Sequence, residues 1–78
     1  MTYRFDWINN GLDITDPTVS WTYAGFDTEG AGLLYVVAKL ETPQAVFKIE
    51  LSKVGTASDR SDAAIDALLT ELLAPYVV

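Results

Sequence analysis

Seventy-eight residues, half of them apolar and 21% charged, describe one folding domain, because a second would be too small to bury a core of its own. The composition is the reverse of the low-hydrophobicity, high-charge type that keeps chains disordered, and the net charge of −6 disfavours direct binding of DNA or RNA. The chain has no Cys and no His, which removes disulfides, the usual structural zinc sites and the side chains most used for acid/base work at neutral pH.

Tyr3, Phe5 and Trp7 alternate with Arg4 and Asp6, the period-2 pattern of a strand with one aromatic face, so the first strand is expected over Tyr3 to Ile8. Asn10-Gly11 reads as a two-residue hairpin loop, since both residues tolerate positive φ; Leu12 would then face Asn9 and Ile14 would face Trp7. Asp16-Pro17 ends the return strand, because proline donates no ladder hydrogen bond. Val19, Trp21 and Tyr23 alternate with Ser20 and Thr22 and predict a strand with those three on one face. Asp27 to Gly32 reads as an acidic loop. Leu33 to Leu40 is apolar on both sides, as expected of a central strand covered above and below. After the Thr42-Pro43-Gln44 turn, Ala45, Phe47, Ile49 and Leu51 point one way and Val46, Lys48, Glu50 and Ser52 the other.

A helix follows, with Ser58 or Ser61 as its N-cap, Asp59 and Asp62 matched to the dipole of its first turn, and Ile65, Leu68, Leu69, Leu72 and Leu73 at helical spacing. Pro75 stops it, leaving Tyr76-Val77-Val78 as an apolar tail that must dock, pair as an edge strand or meet a partner. The expected fold is α+β in a single domain, 1–78: an antiparallel meander of four strands (three to five, depending on how the first hairpin is counted) over approximately 3–54, with one C-terminal helix over approximately 59–74 packed on one face. One helix of about 16 residues cannot cover both faces, and each large apolar side chain left in water forgoes roughly 1.5 to 3 kcal/mol. A strongly curled sheet or a homodimer through the open face is therefore expected.

Few residues offer chemistry. Ser52-Lys53 would be the only adjacent nucleophile and base, but neighbours in a strand point to opposite sides. The carboxylate pairs Asp13 with Asp16 and Asp27 with Glu29 fall in turn or loop segments, where Asp is favoured for capping backbone amides. Asp27-Thr-Glu-Gly-Ala-Gly32 lacks the ligands of a calcium loop, and Gly25 to Gly32 has Walker-like glycine spacing but Ala31-Gly32 where Lys-Ser/Thr must stand. No catalytic residue, metal or cofactor is expected, and the chain is expected not to be an enzyme. The opening Met1-Thr-Tyr-Arg-Phe-Asp-Trp7 has no apolar signal core and the longest apolar run is too short to cross a bilayer, so neither export nor membrane insertion is expected, with the cytoplasm as default.

What remains is action by contact. Residues 1–31 hold five acids against Arg4, and residues 56–78 hold Asp59, Asp62, Asp66 and Glu71 against Arg60. Asp59, Asp62 and Asp66 are spaced by three and four, which lines carboxylates about 5–6 Å apart along one helix face, near the phosphate repeat of a nucleic-acid strand. The same stripe also reads as the solvated side of an amphipathic helix. The expected partner-binding residues are Asp27, Glu29, Asp59, Asp62, Asp66, Trp21 and Tyr23, acids steering the chain to a basic surface and aromatics anchoring it. Phe5, Trp7 and Phe47 are expected in the core.

A compact acidic chain without Cys or His, opening Met1-Thr-Tyr-Arg-Phe-Asp-Trp7 and joining a small meander to a terminal helix with the Asp59/Asp62/Asp66 stripe, resembles the phage-encoded anti-CRISPR proteins. The resemblance implies a DNA-mimicking inhibitor in the host cytoplasm. Its partner would be a protein with a basic nucleic-acid-binding surface, such as a CRISPR effector complex kept from its target DNA. The other expectation is a small phage structural or assembly protein acting through an apolar homo-oligomeric interface, which replacement of Trp21 and Tyr35 by Ser would break.

Overall fold

A computed structural model of the chain describes residues 1–8, 10–26, 33–54 and 60–78. In chain order the elements are strands β1 (Thr2–Phe5), β2 (Leu12–Thr15), β3 (Thr18–Phe26), β4 (Leu33–Glu41) and β5 (Val46–Val54), then helix α1 (Asp62–Leu73) and a 3₁₀ turn over Ala74–Tyr76. The fold is α+β with every strand pair antiparallel. The strands form two sheets, not one meander: β1 pairs with β2, and β3, β4 and β5 lie side by side in that order.

The first hairpin is wider than Asn10-Gly11 predicts. Phe5 pairs with Leu12 and Tyr3 with Ile14, so β1 stops at Phe5 and residues 6–11 form the connection. Ile8 N–H donates to the Phe5 carbonyl, and the Ile8 carbonyl accepts from Gly11 and Leu12, which winds the chain through successive turns. Asn10 and Gly11 do take the positive φ expected of them, at 61° and 95°, but as the end of this longer turn. The two-residue loop would have placed Ile14 opposite the exposed Trp7, whereas the longer one sets Ile14 opposite Tyr3 and lets it be buried beside Phe5.

The core lies between the inner face of the three-stranded sheet and a second layer made of the hairpin and α1 together. Leu34, Val36, Ala38 and Leu40 of β4 and Ile49 and Leu51 of β5 meet Phe5 and Ile14 from the hairpin and Leu69 and Leu73 from the helix. Residues two apart share a sheet face and residues four apart share a helix face, so these spacings are the ones the apolar pattern carries. The sequence places β4 between two covers, yet Tyr35, Val37 and Lys39 on its outer side are only half-buried. The hairpin that was to extend the sheet folds over its inner face instead, and the described residues leave the outer face uncovered.

Helix α1 starts at the second of the two expected caps. Ser61 is its N-cap, accepting from Ala64 N–H at 3.3 Å, and Asp62 occupies the first turn. Ile65, Leu69 and Leu73 are buried, with Leu68 and Leu72 packed beside them. Pro75 lies in the 3₁₀ turn. The tail then pairs, as one of its three expected fates: Val77 bridges Tyr3, and Val78 N–H donates to the Thr2 carbonyl at 2.9 Å, along the edge of β1 that β2 does not occupy.

Candidate functional site

Two surfaces compete as candidates, and a single irregularity in β3 sets both. Trp21 pairs with Ala38 and Tyr23 with Val37, so Thr22 is an extra residue in the ladder, a β-bulge. Its hydroxyl donates to the Val37 carbonyl at 3.4 Å. Simple alternation would put Val19, Trp21 and Tyr23 on one face and would strand Phe26 outside with Ser20 and Thr22. The bulge changes parity, so Val19 and Trp21, and after it Ala24 and Phe26, all pack on the core, while Tyr23 turns to the outer face. The expectation that Trp21 and Tyr23 lie side by side is therefore corrected. Phe26 is half-buried there, and the apolar area it removes from water, at roughly 25 cal/mol per Å², favours the bulge over an unbroken ladder.

On the inner side, Trp21 Nε1–H donates to Asp66 Oδ1 at 2.8 Å, tying β3 to α1. Two residues expected to meet a partner thus meet each other. Asp62, one turn before Asp66, is exposed at the helix N-terminus. Glu71 binds Lys53, an ion pair that fastens the other end of α1 to β5. Arg60 stands 4.7 Å over the Phe26 ring, a cation–π contact at the start of the helical segment. The remaining predicted acids, Asp27, Glu29 and Asp59, lie outside the described residues, as does Ser58, and so do the glycines of the Walker-like stretch from Gly30 to Gly32.

The outer face carries Tyr23 and Tyr35, edge to face at 6.1 Å between centroids, beside Val37 and the exposed Val46. Tyr23 is 57% exposed. The Tyr35 hydroxyl is hydrogen-bonded to Glu50, which holds its pKa above the usual phenol range, with desolvation and the negative charge of Glu50 adding in the same direction. Lys39 pairs with Glu41 at 2.9 Å, and Lys48 lies across from Lys39 on β5. Sequence reasoning assigned none of these four charges to a site, although the alternation of Lys48 and Glu50 with Phe47 and Ile49 already set them on one side.

The other candidate groups are accounted for within the fold. Asp13 is in β2, not in a turn as expected, and accepts two hydrogen bonds from the Arg4 guanidinium at 2.8 and 3.0 Å. That hydrogen bond holds the Asp13 pKa below the ordinary carboxylate range, against the opposing effect of desolvation and with the guanidinium charge adding to the lowering. Asp16, at φ 48°, pairs with the N-terminal ammonium, so neither acid of this pair faces a cleft shared with the other. Ser52 is exposed on the outer side of β5 while Lys53 reaches the helix, as strand alternation requires. Phe5 is buried and Phe47 half-buried, as expected, but Trp7 is not in the core: it is 58% exposed and stacks edge-on against Phe5 (5.4 Å) and Tyr76 (5.0 Å). An apolar groove of about 210 Å³ lies between β1, Val19 and the end of α1, lined by Tyr3, Leu73 and Val77 among others. Among the described residues no three His, Cys, Asp or Glu side chains converge as metal ligands, and no helix is long and apolar enough to cross a membrane.

Comparison with known proteins adds no relative: no family model matches the chain, no curated protein matches it, and no solved structure matches it.

Proposed function

We propose that this chain is a non-enzymatic, acidic interaction protein that inhibits nucleic-acid-handling machinery by occupying a basic surface. The observation that carries the reading is helix α1, which has no basic residue from Asp62 to Leu73, keeps its apolar side on the core and presents Asp62 and Asp66, while Glu71 is taken by Lys53. The Trp21 bond uses one oxygen of Asp66, and a carboxylate with about four acceptor positions keeps capacity for a partner cation. The finer form is inhibition of the anti-CRISPR kind, in a phage host's cytoplasm, with target DNA kept from a CRISPR effector complex. The test is a panel of purified CRISPR effector complexes, scored for loss of target-DNA binding when the chain is added. Lysine substitutions at Asp62 and Asp66, at Asp59, and at Asp27 with Glu29 should weaken inhibition and flatten its dependence on salt. Inhibition unchanged in every variant, or absent against every complex, refutes the reading.

A second reading, a small phage structural or assembly protein, is favoured by the uncovered outer face with its paired tyrosines. On this reading contact is aromatic and insensitive to salt. The residues to replace by Ser are then Tyr23 and Tyr35, because Trp21 stands on the inner face.

A further inference from the structure

The outer face of the β3–β4–β5 sheet differs in charge from the rest of the molecule. Lys39 and Lys48 stand on it with Glu41 and Glu50, so it carries no net charge in a chain of −6. A basic surface finds no attraction there. A neutral surface with the same alternation of signs does, and two copies that would repel elsewhere can approach at this face. We infer that the outer face pairs with the same face of a second copy of the chain.

The order of charges selects the geometry. A two-fold axis running along β4 would stack Lys39 on Lys39 and Glu41 on Glu41, which like-charge repulsion forbids. An axis running across the strands, between the row of Lys48 and the row of Glu50, inverts the second copy. Lys48 of each copy then lies over Glu50 of the other, and the stem of Lys39 covers the other copy's Val37. Both Lys48 and Glu50 are exposed and one step apart on the outer side of β5, so the contact is made twice by symmetry. Facing sheets tolerate this arrangement, with strands kept within about 30° of one another. The three strands have nine residues each. At about 3.3 Å per residue and 4.8 Å between strands they offer a flat footprint of roughly 400 Å². That is about half of the 800 Å² per partner of a standard interface, so the dimer is weak and reversible.

This inference rests on the outer face being a contact surface and is independent of the acidic reading of α1. Sedimentation equilibrium of the purified chain, from micromolar to millimolar concentration, should give a monomer–dimer equilibrium. K48E and E50K, each alone, should weaken dimerisation by at least about tenfold, because each places two like charges in contact twice. Mixing the two variants should restore it, since every such contact then joins opposite charges. Circular dichroism confirms the fold of each variant, and Tyr23→Ser, at an exposed side chain, is a second probe that should weaken the dimer comparably. A wild-type chain monomeric to millimolar concentration overturns the inference. So does a dimer indifferent to K48E, E50K and Tyr23→Ser, or a mixture no more dimeric than its components. If the dimer forms while the α1 lysine variants inhibit as well as wild type, the acidic reading fails and this one stands.

Discussion

The Trp21–Asp66 bond is the sharpest place to test whether an acid on α1 holds the fold together or only decorates it. Trp21→Phe keeps an aromatic ring on the inner face and removes the indole donor; Asp66→Ala removes the acceptor. A hydrogen bond to a charged acceptor contributes about 1.5–3 kcal/mol when shielded. Asp66 is exposed and water competes for it, which lowers the expected coupling to about 1 kcal/mol. The single variants mix this quantity with others. Phe is smaller than Trp, and Ala raises helix propensity by up to about 0.7 kcal/mol while deleting a charge.

A double-mutant cycle removes those side effects, because each appears once in a single variant and once in the double. Stability of the wild type, both single variants and the double would be measured by urea denaturation, with thermal midpoints as a check. The coupling should be about 1 kcal/mol, equivalent to about 4–8 °C in midpoint for a domain of this size. It is a large share of the ~3–5 kcal/mol a chain this small can have. Additivity within about 0.3 kcal/mol would refute the clamp and leave Asp66 as solvated surface.

Three further outcomes follow from the core and the turns. Leu73→Ala deletes a buried side chain at the junction of helix, hairpin and sheet, and should lower stability by about 2–5 kcal/mol in urea denaturation, most or all of what a chain this small has. Gly11→Ala should cost about 1 kcal/mol or more in urea denaturation, because φ of 95° excludes an ordinary side chain although a Cβ there would make only an ordinary contact, 3.7 Å from Asp6 Oδ1. Tyr35, its folded pKa raised by Glu50, should ionise above the ordinary phenol range in an alkaline titration followed by tyrosinate absorbance, and Glu50→Gln should bring it down. The sign follows from the direction of the shift: the folded state holds the Tyr35 proton more tightly, so this contribution to stability is complete below the unfolded value near 10 and is lost as pH rises through the folded value.

The legible parts of the fold are those where burial on one side imposes a single period. β5 and α1 were read with the correct faces because Ile49 and Leu51, and Ile65, Leu69 and Leu73, each meet one continuous core. The sequence of β4 predicts two covers because Tyr35, Val37 and the aliphatic part of Lys39 resemble core residues in composition, and hydropathy does not distinguish an apolar surface that is covered from one that is open. The bulge at Thr22 was invisible for a related reason. Val19, Trp21 and Tyr23 alternate without a break, and only the competing demand of Ala24 and Phe26 for the core reveals that the parity must change. At the hairpin tip, Asn-Gly signals positive φ, which Asn10 and Gly11 adopt, but not the number of residues that precede them in the turn. For the candidate site, Asp62 kept its place on the exposed helix surface, whereas the bond between Trp21 and Asp66 spans 45 positions, and no local pattern encodes a contact at that separation.

The two proposed surfaces do not compete for the same side of the molecule, because the unbroken β4–β5 ladder sets Lys48 and Glu50 on the face opposite the one that α1 covers. Helix α1 packs on the inner face of the sheet, so its acids point away from the outer face that carries Lys48 and Glu50. Two copies joined through their outer faces would present one acidic helix on each of two opposite exteriors. Such a particle could engage two basic surfaces at once but could not place both helices in one channel, so pairing would add avidity only for a partner with two sites facing each other. Against a single basic groove, monomer and dimer would bind through the same helix with equal intrinsic strength. On the proposed reading, assembly would depend on Lys48 and Glu50 of the outer face and inhibition on the acids of α1, two sets of residues that share no member.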